Sequence, residues 1–154
     1  MEPYSSTSGQ AFLEELRRHR AELRESLSAL EDALASPATA DRARWAQRVN
    51  VALVELSGDF REHIDITEGP DGLYRDLLRT SPRLSEPIAG LTREHVLITR
   101  QVDDLLARVS APDLTDLERV RDLGTALLGR LVRHRQRGSD LVFEAYEVDI
   151  GGET

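Results

Sequence analysis

The four histidines of this sequence, His19, His63, His95 and His134, are the residues best suited to metal chemistry. Each falls in a different segment in which apolar residues recur every three or four positions, and each occupies a position of that apolar series. A lone histidine at such a position is usually packed in a core, but several together in an apolar interior need partners for their ring nitrogens. A metal ion accepts neutral imidazoles as ligands. The pattern therefore predicts a metal or metallo-cofactor site.

Four amphipathic helices must carry these histidines, because the apolar spacing is helical and no stretch alternates with the period of a strand. The predicted elements are a helix over residues 10–35, a helix capped by Asp41 that ends before Gly69, a short helical turn at 73–78, a helix that enters near Pro87 and runs to 109, and a helix capped by Asp113 or Thr115 that runs to about 145. Mostly short connections favour an all-α, antiparallel up-down-up-down four-helix bundle with a short extra helical turn between helices two and three. We expect a single domain over residues 1–154, with its core at about 10–146 and flexible tails at both ends.

The four histidines must also lie at similar heights along the bundle if they share one site. Counted from the predicted helix ends at about 1.5 Å per residue, His19 and His63 differ in height by about 9 Å, and His95 and His134 by about 7 Å. Both differences are within the error of predicted helix ends. A single layer of imidazoles is therefore feasible.

The composition restricts the class of protein. The chain has 154 residues, 28 acidic and 20 basic side chains and a net charge of −8, which disfavours nucleic acids and anionic membrane surfaces as partners. It has no cysteine, which excludes disulfides, thiolate zinc sites and iron–sulfur clusters. No apolar run is long enough for a membrane span, and the polar N-terminal residues lack the pattern of a signal peptide. We therefore expect a cytoplasmic protein.

Three short motifs and the first histidine give the sequence a resemblance to a known family. Residues 63–68 (HIDITE), 91–95 (LTREH) and 131–134 (LVRH), together with His19, resemble the hemerythrin-like HHE cation-binding domain family over about residues 12–146. The resemblance implies a four-helix bundle that holds a non-heme di-iron centre through histidines and bridging carboxylates. It also implies reversible dioxygen binding, oxygen or nitric-oxide sensing, iron handling or peroxide chemistry as roles.

The family pattern implies five metal ligands in this chain, namely His19, His63, Glu68, His95 and His134. Glu68 follows His63 by five residues, which on a regular helix turns it about 140° away from the histidine, so only a widened last turn would bring it back. Two further ligands of the pattern are missing. Leu91 stands where a second histidine of helix three is often found, and Gly138 and Ser139 stand where helix four would supply a carboxylate.

Few residues can fill these gaps, and each has an ordinary alternative role. The candidates near the right height are Tyr74, Tyr146, Glu62, Glu94 and Asp140. Glu62 or Glu94 could instead orient an imidazole by accepting its N–H. Gly138 leaves room beside the metal layer, which suits either an open coordination position or a close helix contact. The arginines that flank His134, at 130, 133, 135 and 137, are expected to form a solvated helix face rather than an anion site.

The leading hypothesis from the sequence is a non-heme iron protein, with two iron ions expected, that binds dioxygen, peroxide or nitric oxide at a His/carboxylate site. A carrier, a sensor and an enzyme that consumes peroxide or oxygen all need the same open metal position, so the sequence does not separate them. The alternatives are a heme-binding bundle with two axial histidines, a metal-dependent bundle resembling the DinB-like family, and a metal-free interaction module. The sequence leaves the oligomeric state open.

Overall fold

The structure, a computed structural model, describes residues 3–112, 114 and 116–149, and these residues form helices and their connections without a strand. The elements are α1 (Pro3–Ala35), α2 (Arg42–Glu68), α3 (Leu73–Thr80), a 3-10 turn (Pro82–Leu84), α4 (Ser85–Ser110), α5 (Leu117–Phe143) and a π-helical turn (Glu144–Asp149). Helices α1, α2, α4 and α5 are the long ones, and they pack in a ring in which α1 and α4 each contact both α2 and α5. The predicted all-α four-helix bundle is confirmed, and α3 supplies the extra turn. In this part of the chain no helix has the length and apolar character that crossing a membrane requires.

Two of the long helices begin at side-chain caps. Asp41 caps α2 as predicted, because its carboxylate accepts the backbone N–H three residues later at 3.0 Å. Asp116 caps α5 in the same way, with a distance of 2.9 Å to the N–H three residues on. The predicted caps of this helix, Asp113 and Thr115, lie outside the described residues.

Helix α1 begins well before the predicted start near residue 10, because it already includes Pro3. Proline suits the first helical turn, where its missing N–H would have had no intrahelical partner. The prediction followed the apolar series, which begins only at Phe12, and so assigned residues 3–9 to a tail. Helix α4 likewise begins at Ser85, two residues before the predicted Pro87. Residues 150–154 of the predicted C-terminal tail lie outside the described part of the chain.

Two apolar clusters hold the bundle together. The larger cluster joins the four long helices, and each fully buried leucine in it contributes about 1.5–3 kcal/mol relative to an exposed one. Its members with an exposure below 2% include Leu30, Leu53, Leu56, Leu127 and Leu131. The smaller cluster packs Tyr74 and Leu77 of α3 against Leu91 of α4 and Leu141 of α5. Because Tyr74 also contacts His95, this second cluster closes the bundle beside the histidines.

Candidate metal centre

Three of the four predicted histidines meet in one layer of the bundle. His63 comes from α2, His95 from α4 and His134 from α5, and Nε2 of His134 lies 3.0 Å from Nε2 of His95 and 3.4 Å from Nε2 of His63. The ring planes cross at 60–84°, so the rings meet through their Nε2 edges rather than stacking. His95 and His134 are 1% and 2% exposed. The predicted common layer is confirmed for these three residues, which we call the three-imidazole cluster.

The spacing of the three-imidazole cluster is the spacing of metal ligands. Metal–nitrogen bonds of about 2.0–2.1 Å in tetrahedral geometry place neighbouring ligand nitrogens about 3.3 Å apart. The two Nε2–Nε2 distances of 3.0 and 3.4 Å bracket that value. One ligand atom from each of the three residues lies within 4.8 Å of the others. The cluster could therefore hold a metal ion.

Two carboxylates orient imidazoles of the cluster by contacting their Nδ1 atoms. Oε1 of Glu94 lies 2.7 Å from Nδ1 of His134, and Oε2 of Glu68 pairs with Nδ1 of His95. Arg137 donates to Oε2 of Glu94 at 2.5 Å, which gives that carboxylate a second, charge-assisted contact. Because an ionised carboxylate only accepts, each Nδ1 carries the proton and each Nε2 presents its lone pair to the cluster. Glu94 thus has the orienting position that the sequence suggested for it.

Glu68, predicted as a metal ligand, lies on the far side of the His95 ring from the three Nε2 atoms. The reason is the geometry of α2, which stays a regular α-helix through Glu68 and ends at Gly69. Five residues of regular helix turn Glu68 about 140° away from His63, toward α4. The widened turn that would have returned the carboxylate to the His63 side is not present in α2. Glu68 instead contacts an imidazole of the neighbouring helix.

Burial keeps the three imidazoles neutral. Burial, aided by the charges that neighbouring imidazoles would carry, lowers the pKa of His63 from 6.5 to about 2. Burial also lowers the pKa of His95 and of His134, although Glu68 and Glu94 oppose the shift. At neutral pH the three imidazoles are therefore neutral, which is the form that binds a metal.

Aromatic side chains close the cluster on two sides. The ring centroid of Phe60 lies 5.5 Å from that of His63 and 5.6 Å from that of His95, which makes an apolar wall. The Tyr74 hydroxyl lies 3.4 Å from Nε2 of His95, and burial raises the pKa of this phenol. Among the residues considered for the missing ligands, Tyr74 therefore reaches the cluster. Tyr146 does not, because its hydroxyl donates to Asp76 at 3.3 Å.

The other missing-ligand positions carry no metal ligand. Leu91 is buried in the smaller apolar cluster, at 4% exposure. Asp140 accepts a hydrogen bond from Gln136 on the exposed side of α5. At Gly138 an added Cβ would meet no atom within 4 Å, so this glycine leaves open space rather than permitting a close helix contact. The open-position interpretation of Gly138 is the one that this geometry favours.

His19 lies beside the three-imidazole cluster rather than in it. Its ring stacks on that of His63, with centroids 5.5 Å apart, and it forms a second group with Glu22 and Glu62 whose ligand atoms lie within 4.8 Å of one another. The side chain is 3% exposed, and neither ring nitrogen has a hydrogen-bond partner in the described structure. Such an unsatisfied buried group needs a partner, so this second group could also hold a metal ion.

A cavity of about 160 Å³ reaches from the surface to the histidines. Its lining includes His19, His63 and His134, the open space at Gly138, and the side chains of Arg20, Arg24 and Arg135. Burial and the charges of Arg24 and Arg20 lower the pKa of Arg135. A small molecule in this cavity would lie among both imidazole and guanidinium groups.

Sequence reasoning missed Glu22 and two of the arginines of α1, Arg20 and Arg24. Glu22 follows His19 by three residues, and this spacing places two residues on one helix face, so the pair was a readable signal. Arg20 and Arg24 gave no such signal, because exposed arginines are common on any helix. They line the cavity together with residues of α5, and the sequence of α1 alone does not show where α5 lies.

Comparisons of the chain with protein-family models, with curated proteins and with solved structures find no match. The resemblance to the hemerythrin-like family therefore stays a prediction from three motifs. The positions of the imidazoles and carboxylates are independent of any family, and they carry the functional conclusion.

Proposed function

We propose that the chain binds a transition-metal ion through Nε2 of His63, His95 and His134. We further propose that this ion is iron, and that it binds a small ligand such as dioxygen, peroxide or nitric oxide. The observation that carries the proposal is that the Nε2 atoms of His95 and His134 lie 3.0 Å apart while a carboxylate contacts Nδ1 of each ring. A cation between them satisfies both.

A metal-free core explains these contacts poorly. Glu68 and Glu94 hold the protons of His95 and His134 on Nδ1, so the two facing Nε2 atoms are both acceptors. A proton shared between them would make one imidazole cationic, which burial opposes. Two facing acceptors repel, whereas a metal ion is attracted by both. The carboxylates then have the usual second role at a metal site, in which they fix the ring orientation and the tautomer.

The choice of iron rests on ligand chemistry and on the family resemblance. Imidazole suits iron, copper, zinc and nickel, and the chain has no thiolate that would favour a softer ion. The hemerythrin-like motifs favour iron within that set. Under the expectation of two iron ions, the group of His19, Glu22 and Glu62 is the place for the second one. Bound iron would supply a coordination position for a small ligand, while the chain orients the imidazoles and surrounds them with apolar side chains.

The Nε2–Nε2 distances in the three-imidazole cluster also distinguish between the heme-binding and DinB-like alternatives. Nε2 atoms 3.0 and 3.4 Å apart leave no room for a porphyrin between two axial histidines, which argues against a heme protein. A set of three histidines does suit the DinB-like alternative, in which zinc or nickel is the common metal. Metal identity and the absorption spectrum separate these two hypotheses, because oxo-bridged ferric centres absorb in the near ultraviolet and zinc does not.

The test is metal content and affinity across a set of variants. We expect iron in the purified protein, and the loss of one equivalent in each of His63→Ala, His95→Ala and His134→Ala. Glu94→Gln should keep the fold and weaken metal binding by about 10–100-fold, because it removes the acceptor of the His134 Nδ1 proton. Glu86→Gln, an exposed change on the same helix as Glu94, is the matched control.

A second comparison measures the number of metal ions. If the centre holds two ions, the double variant Glu22→Gln with Glu62→Gln should lose one equivalent and keep the other. Circular dichroism would show that each variant is folded. An unchanged metal content in all three histidine variants contradicts the proposed site, and a zinc- or nickel-only protein contradicts the choice of iron.

A further inference from the structure

Three arginines gather at the cavity that leads to the histidines. Arg20 and Arg24 come from α1 and Arg135 from α5, and all three line the same cavity as His63 and His134. Arg135 directly follows a residue of the three-imidazole cluster, so its position is set by the helix that places His134. The three arginines and two histidines of the candidate metal centre thus line one cavity.

These arginines lack the acidic partners that other arginines of the chain have. Arg137 pairs with Glu94, and Arg108 pairs with Asp104. Arg24 and Arg135 have neither an ion pair nor a hydrogen bond with another described residue, and Arg20 donates only to the Ser139 hydroxyl, at 3.2 Å.

Unpaired cations side by side repel one another, and this is notable in a chain with 28 acidic side chains and a net charge of −8. Within the described part of the chain, no carboxylate makes an ion pair with Arg24 or Arg135. An arrangement that costs electrostatic energy in the free protein becomes favourable when an anion binds. Guanidinium groups match the two oxygens of a carboxylate or a similar oxyanion.

We propose that the cavity binds a small anion between these arginines and the metal centre. This inference rests on the proposed function for the metal, and among the ligands named there it favours the peroxide anion over neutral dioxygen and nitric oxide. The open space at Gly138 and the hydroxyl of Ser139 suit a group of few atoms, as does the cavity volume of about 160 Å³. The sequence-based expectation that Arg135 belongs to a solvated helix face would then be replaced by a binding role.

The test uses acetate as the probe and acetamide as its neutral counterpart of similar shape. Calorimetric titration of the zinc-loaded protein, with zinc content measured first, gives the Kd of each. We expect acetate to bind at least tenfold more tightly than acetamide. Arg135→Gln should raise the Kd of acetate by about tenfold, the size of one charge-assisted hydrogen bond. Arg24→Gln should act in the same direction and, being an exposed change, tests the proposal even if Arg135→Gln fails to fold.

The matched control is Arg133→Gln, which removes the same charge from the same helix but faces a different surface, near Gly129. We expect this variant to bind acetate like the unmodified protein. Equal acetate affinity in the Arg135, Arg24 and Arg133 variants, or equal binding of acetate and acetamide, would overturn the proposal.

Titration of metal-free protein separates the two proposals. A weaker acetate affinity that still depends on Arg135 would support the anion site by itself, whatever the metal content proves to be. Loss of the Arg135 dependence in a protein that retains its zinc would overturn the anion site and leave the metal site intact.

Discussion

Acidifying the metal-free protein should destabilise it, and His63 should account for a measurable share of the effect. The pKa of His63 is about 2 in the folded chain and 6.5 as its ordinary value, because burial and neighbouring imidazoles disfavour its protonation. Between these two values the unfolded chain binds a proton that the folded chain does not. The stability that depends on neutral His63 is therefore present above pH 6.5 and is lost as the pH falls below it.

The size of the loss follows from the same two pKa values. At pH 5 the solution is about 1.5 pH units below the unfolded pKa, and each unit corresponds to about 1.36 kcal/mol. His63 alone therefore lowers the free energy of unfolding by about 2 kcal/mol between pH 7 and pH 5. His19, His95 and His134 have lowered pKa values as well, so they act in the same direction.

Urea denaturation of chelator-treated protein at pH 7, 6 and 5, followed by circular dichroism, measures this loss. In His63→Gln the decrease between pH 7 and pH 5 should be smaller by about 2 kcal/mol than in the unmodified chain. Glu86→Gln, an exposed change, should retain the full decrease. An identical pH dependence in His63→Gln and in the unmodified protein would refute the claim that His63 is held neutral by its surroundings.

Further predictions concern the packing of the bundle. Gly124→Ala should cost about 1–3 kcal/mol, because the added Cβ would lie 2.5 Å from Cδ1 of Leu34, whereas Gly58→Ala, where nothing lies within 4 Å, should stabilise α2 by about 0.5–1 kcal/mol. Urea denaturation measures both changes in the free energy of unfolding. If the two substitutions changed it in the same direction, the close contact between Leu34 of α1 and Gly124 of α5 would be contradicted. Arg121→Gln should cost about 1–2 kcal/mol and change the fluorescence of Trp45, since its guanidinium lies 5.3 Å from that ring and also donates to the carbonyl of Leu34. Unchanged fluorescence would show that the stacking is absent in solution.

The architecture was readable from the sequence because two independent signals agree. The apolar series marks the buried face of each long helix, and breaks such as Gly69 and Pro70 mark where helices stop. The start of α1 was misjudged because residues 3–9 carry polar side chains that give no apolar series. Helical periodicity detects a helix only where apolar residues recur, so a helical segment without such a series escapes it.

The candidate site was readable only in part, because its residues depend on different kinds of information. Each histidine lies on an apolar series, so local periodicity alone predicts that it points inward. Whether Glu68 binds a metal or an imidazole depends on its rotation about α2 relative to α4, which is a property of the assembled bundle. Glu94 was named, together with Glu62, as a residue that could orient an imidazole, but the sequence did not show that its partner would be His134 of α5.

Glu68 and Glu94 contact Nδ1 atoms of the imidazoles, so they would not themselves be ligands of a metal ion in the cluster. A carboxylate in contact with a metal would cancel one unit of its charge, whereas neutral imidazoles cancel none. A divalent ion held by His63, His95 and His134 would therefore keep its full charge in a buried place, next to the guanidinium of Arg135. Such a site favours an anion over a neutral molecule of the same size, because only the anion is attracted by both the metal ion and the guanidinium. Moving a carboxylate into the cavity by Gly138→Asp should then reverse the preference, with acetate binding lost and metal binding retained or strengthened.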